Sequence, residues 1–155
     1  MSGRATPPPP GAPMRMYEKA ILRVVSRGLT PFILLFALYV QFHGDFGPGG
    51  GFQAGVIFAA GVILHGLIFG LEDAQRVFPP RVVEVLLAVG WLLYSGTGVA
   101  CLLLGGDFLD YDALNPHHPA HGQHLGLLLI EGGVGITVTA AMTTIYYKFA
   151  GRGTR

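Results

Sequence analysis

The chain has 155 residues, 51% of them hydrophobic and only 12% charged, with a net charge of +1 and a mean hydropathy of +0.51. A soluble domain carries roughly 25% charged residues, so this composition excludes a soluble enzyme and a disordered chain. The one cysteine, Cys101, excludes an internal disulfide framework or a cysteine-based zinc site, and 24 glycines in so apolar a chain fit close-packed membrane helices.

In chain order, residues 1–16 carry Pro7 to Pro10 and Pro13, which predicts a disordered, proline-rich tail of polyproline-like character. No A-x-A-like site follows the first apolar run, so no signal peptide is expected. The charge-free part of that run, Gly28 to Phe42, would reach about 22 Å as a helix. A bilayer core is about 30 Å thick, so the span is expected at 21–42, with Arg23 and Arg27 snorkelling to the interface. Further spans are predicted at 52–71, 82–105 and 124–147, inside one membrane domain of residues 17–150, with a basic tail at 151–155. The fold class is all-α, an integral membrane protein with four transmembrane helices.

Basic residues orient it. Arg4, Arg15, Lys19, Arg23 and Arg27 precede or open the first span, Arg76 and Arg81 lie between the second and third, and Lys148, Arg152 and Arg155 follow the fourth. The other two loops contain no Lys or Arg. By the positive-inside rule both termini are cytoplasmic.

The first outer loop contains Pro48, Gly49, Gly50, Gly51 and Phe52. Successive glycines hold backbone angles barred to other residues, and proline removes a donor. Two readings stand here: a tight re-entry turn, or a broken-helix element lining an ion path. Small residues four apart (Gly51/Gly55, Gly55/Ala59, Gly66/Gly70, Gly96/Ala100), together with Gly132, Gly133 and Gly135, let helices approach closely. They are too numerous for one four-helix bundle to use, which predicts partner subunits.

Glu131 stands out among the polar groups. It lies seven residues inside His124, roughly 10 Å into the fourth span, where a carboxylate costs about 2.5–3.5 kcal/mol to insert. His124 lies above it on the same face, with Gly135 and Thr139 continuing inward. Glu131 is either a proton- or cation-accessible carboxylate or a hydrogen-bonded link to a neighbouring helix. His65, in the inner third of the second span, is either a proton relay or a donor to a neighbouring carbonyl. Candidate ion-path or coupling residues are therefore Glu131, His65, His124 and Thr139. The segment from Asn115 to His124 holds four histidines, but Pro116 and Pro119 interrupt helical spacing and the pattern matches no standard metal site. No catalytic, cofactor or metal residues are assigned.

Three stretches together carry a resemblance: His43 to Gly55, Phe108-Leu109-Asp110-Tyr111, and His121 to Gly126 leading into Ile130-Glu131 and Gly133-Val134-Gly135. Over residues 18–150 the chain resembles the MnhB/MrpB family, one of the small-component families of the Mrp-type multisubunit Na⁺/H⁺ antiporter. The resemblance implies a small all-helical component without a redox centre or other cofactor, sited in a bacterial or archaeal cytoplasmic membrane. It implies an accessory part of a secondary transporter for Na⁺ and H⁺, not an enzyme. Its partners would be large antiporter-like subunits, other small helical ones and lipid, with no nucleic acid. It also implies that substitutions at Pro48 and Phe52 harm assembly or transport. A membrane component of a related redox complex, such as a membrane-bound hydrogenase, stays open at this point. A free-standing channel does not fit, because no span carries the polar residues a water-filled pore needs.

Overall fold

In the computed structural model of the protein, residues 16–44 and 47–154 are described. Helix α1 runs Met16–His43, α2 Gly51–Phe69, α3 Leu71–Val77, α4 Pro80–Leu103 and α5 Pro119–Ala150. Short 3₁₀ turns occupy Tyr111–Leu114 and Gly151–Thr154. Four of these helices are long and apolar enough to cross a membrane, over Ala20–His43, Gly51–Phe69, Pro80–Leu103 and Pro119–Ala150. The all-α, four-span expectation is borne out. The proline-rich tail expected at 1–16 falls almost wholly outside the described residues.

The helix ends differ from the expected spans for local reasons. Gly70, at φ 104°, ends α2 and lets the chain turn at once into α3. Glu72 and Asp73 in the first turn of α3 and Arg76 in its last suit the helix dipole. The segment expected as a loop therefore contains a two-turn helix. Pro79 and Pro80 then separate it from α4, with Pro80 in its first turn. The expectation that prolines interrupt helical spacing through the histidine-rich segment holds only as far as His118. Pro119 opens α5 instead, because its fixed φ suits a first helical position, so His121 and His124 ride on the helix.

The four spans pack in a row, α1 on α2, α2 on α5 and α5 on α4, with only slight contact between α1 and α5. Helix α5, with 32 residues, is the spine. Near one of its ends Ala140 and Tyr147 join Ala74 and Val83 in the apolar core cluster. The Tyr147 hydroxyl donates toward the carbonyl oxygens of Ala74 (3.1 Å) and Phe78 (2.9 Å), tying α5 to the α3–α4 corner.

A row has faces that a closed bundle would lack. Only 11% of the residues in the apolar 18-residue stretch of α1, and 28% in those of α2 and α5, are buried within the chain, so most of the apolar surface is left to lipid or other proteins. One face carries an apolar groove of about 340 Å³, floored by Ala54, Gly55, Gly132 and Gly135 and walled by Leu38, Phe58, Phe78 and Leu86.

Candidate functional site

The loop between α1 and α2 folds back on the end of α1. The Gly50 N–H donates to the Val40 carbonyl at 3.1 Å, and a methyl at Gly49 would fall 2.8 Å from that same oxygen. Gly50 then caps α2 at φ 109°, a conformation that L side chains rarely adopt, with no side-chain cap bond. The first amides of α2 have no partner within the helix and favour negative charge nearby.

Glu131 of α5 reaches this place. A methyl added at Gly44 would lie 2.7 Å from both of its carboxylate oxygens, and one at Gly50 would lie 2.8 Å from Oε1. A methyl at Gly51 would collide with the Glu131 backbone carbonyl itself. The half-buried carboxylate is thus bounded by bare backbone at Gly44 and Gly50, while Gly51 abuts the main chain of Glu131 itself. The glycine-rich loop between α1 and α2 and the carboxylate of α5 form one constellation.

Inward of it the α2–α5 seam stays tight. A methyl at Gly55 would come 2.7 Å from the Gly135 carbonyl oxygen and 2.9 Å from Val138 Cβ. The buried Thr139 hydroxyl donates to the Gly135 carbonyl at 2.8 Å and stands 3.2 Å from that of Gly55. Thr139 thereby sits on the α2–α5 seam, its one proton shared between the two carbonyls. Across α1, a methyl at Gly135 would meet Gln41 Oε1 at 2.6 Å, while Gln41 Nε2 is buried without a hydrogen-bond partner.

The candidate residues do not gather at one point. Glu131 and the loop from Gly44 to Gly51 meet; Thr139 lies two turns inward on α5; His124 is exposed two turns outward. His65 sits far along α2, its ring 4.6 Å from that of Phe69, over which the Arg27 guanidinium lies at 5.5 Å. Pro48 and Phe52 are exposed at the N-terminal end of α2. His43 stacks on Tyr39 at 5.2 Å and faces Gly47. In the histidine-rich segment His118 and His121 pair ring to ring at 5.6 Å.

The second motif packs on α4 and α5. Phe108 seats against Gly98 of α4 and Tyr111 against Gly126 of α5, each where a methyl would collide with the ring. Burial, with Tyr94 and Cys101 adding, pushes the Tyr111 phenol above its usual value. Asp110 caps the turn by accepting from the Asp112 N–H at 3.3 Å, and Asp112 accepts from Gln123 at 2.9 Å. These carboxylates give that surface a negative field.

Sequence reasoning passed over Gln41, Gly44 and Tyr147. Nothing in the local pattern marks Gln41 or Tyr147, because each acts across helices. Gly44 alone had a signal, as the first glycine of the loop.

The comparisons with known proteins agree in outline. Residues 21–144 match the family model described as "Domain related to MnhB subunit of Na+/H+ antiporter". A protein of Staphylococcus haemolyticus (strain JCSC1435), named "Putative antiporter subunit mnhB2", is 31% identical over 133 residues, 84% of this chain and 94% of that protein. A protein of the same name from Staphylococcus aureus (strain Newman) is similar to the same extent. The match covers most of the chain, including all three motif stretches, and the chain belongs to the MnhB family of Na⁺/H⁺ antiporter-subunit domains.

Proposed function

We propose that this multi-pass membrane protein is an accessory subunit of a multisubunit Na⁺/H⁺ antiporter, supporting assembly and contributing Glu131 to the cation path. The match over residues 21–144 carries the reading, and it favours an antiporter complex over a hydrogenase-type one. The chain is a transporter component rather than an enzyme, in a bacterial membrane.

The geometry supports both parts of the role. A row of spans with mostly unburied apolar faces is suited to lie among other helical subunits and lipid. The helix N-terminus beside the carboxylate favours its ionised form, and an ionised carboxylate within a span is a candidate to meet a cation. Both termini are placed in the cytoplasm, on the strength of the ten basic residues. The glycine loop and the histidine-rich segment are then outside.

The test is purification in mild detergent through a tag on this chain. Large antiporter-like subunits are expected to co-purify, and the chain alone is expected to give no Na⁺/H⁺ exchange in vesicles. Robust exchange by the single chain, or recovery with hydrogenase subunits, would overturn the assignment. In intact cells, cysteines at Asp45 and Asn115 should react with an impermeant thiol reagent and one at Gln75 should not; the opposite pattern would invert the topology.

A further inference from the structure

We propose that Gly44 and Gly50 are positioning residues for Glu131: the outer loop lacks side chains at these two places so that the carboxylate seats against its backbone. The inference deepens the antiporter reading and rests on it only for the exchange measurement.

Gly50 has two reasons to be glycine, its φ of 109° and the carboxylate oxygen 2.8 Å from where a methyl would stand. Gly44 has no left-handed backbone to explain it. What a methyl there would meet is Glu131, 2.7 Å from each carboxylate oxygen, and then the Gly50 Cα at 3.0 Å. Real Cβ atoms essentially never approach a neighbour below 3.0 Å, so something must move. The obstacle at Gly44 is the far end of a flexible side chain, which can swing without unfolding a helix. At Gly51 the obstacle is the Glu131 backbone, which cannot. Gly44→Ala is therefore a tool that displaces the carboxylate while sparing the seam between α2 and α5.

The position of the carboxylate also follows from reach. Glu131 leaves α5 where its own backbone touches Gly51, so its side chain has only its own length in which to reach Gly44. Shortening it by one methylene withdraws the oxygens from the loop. A methyl at Gly44 and an aspartate at position 131 are thus complementary changes, and neighbours that touch are expected to be non-additive.

The experiment compares Gly44→Ala, Glu131→Asp and the double variant in the assembled complex, reading native-gel assembly and Na⁺-dependent exchange in vesicles. Gly44→Ala should assemble yet raise the Na⁺ concentration for half-maximal exchange on the order of threefold to tenfold. Glu131→Asp should weaken exchange as well. The double variant should recover toward the parent and exceed both singles. If Gly44→Ala instead impairs assembly, the same recovery is to be read on the gel. Unchanged assembly and exchange in Gly44→Ala would overturn the proposal. So would a double variant no better than its worse parent, because Gly44 would then act through the Gly50 backbone alone. Suppression seen on the gel without any change in exchange would keep the positioning role and reject Glu131 as part of the cation path.

Discussion

Two groups of glycines among the described helices contrast, those on the α2–α5 and α4–α5 seams and those on outward faces. On the seams a methyl at Gly51, Gly55, Gly90 or Gly133 meets backbone of the facing helix. At Gly28, Gly96 and Gly132 it meets nothing within 4 Å. The first group sets how closely the chain's own helices approach; the second does nothing for the isolated fold. Helix α5 holds both kinds within four residues: Gly133 faces α4, Gly135 faces α1 and α2, and Gly132 opens onto the apolar groove. Glycine density is therefore a measure of packing only after each glycine has been given a direction.

The largest effect of a single methyl is expected at Gly51. Its obstacle is the Glu131 carbonyl of α5, so the two helices must part or tilt. Forcing atoms into a filled contact typically costs 1–3 kcal/mol, and a backbone obstacle belongs at the top of that range, about 3 kcal/mol or more. Gly51→Ala should lose most assembled complex on native gels. Normal assembly would show that the α2–α5 approach is looser than the seam geometry implies.

A middle effect is expected where the seam is held by a hydrogen bond rather than by bare backbone. Tyr147 is 7% exposed and bonds to the carbonyls at the α3–α4 corner. Tyr147→Phe keeps the ring and removes the donor, which should lower the stability of the complex by about 1 kcal/mol. A shift of a few degrees in heat-induced loss of the native-gel band would register it. Loss as large as that of Gly51→Ala would mean that the corner, not the glycine seam, governs the fold.

Four spans, their order and the wide apolar surface were legible in the sequence, because span length and hydropathy depend on consecutive residues alone. Glu131 was legible too, since a carboxylate within an apolar run needs no partner to be noticed. Its seat was not. Gly44 and Glu131 are 87 positions apart, and no periodicity links a loop residue to a residue on another helix. The same limit explains Thr139, which a sequence reading places on the face of Glu131 but whose hydroxyl stands against the Gly55 carbonyl 84 positions away. It explains Pro119 differently: proline forbids a helix interior and favours a helix start, and only the chain on either side decides between them.

The smallest effect is expected at Gly132, next to Glu131 yet facing the groove. A methyl there meets no atom of the chain, and alanine restricts the unfolded backbone more than glycine does. Within a helix that exchange is worth about 0.5–1 kcal/mol in favour of alanine, so Gly132→Ala should leave heat stability of the complex equal or slightly raised. Gly132→Leu extends the comparison, because a larger side chain projects into the groove that Gly55 and Phe58 also line. Lipid tails yield to a leucine, whereas a helix of another protein packed on bare backbone does not. Assembly and exchange unaltered by Gly132→Leu would leave the groove to lipid. Loss of assembly, with Gly96→Leu on the outer face of α4 as the parallel measurement, would show which of the two outward glycines meets a neighbouring protein of the complex.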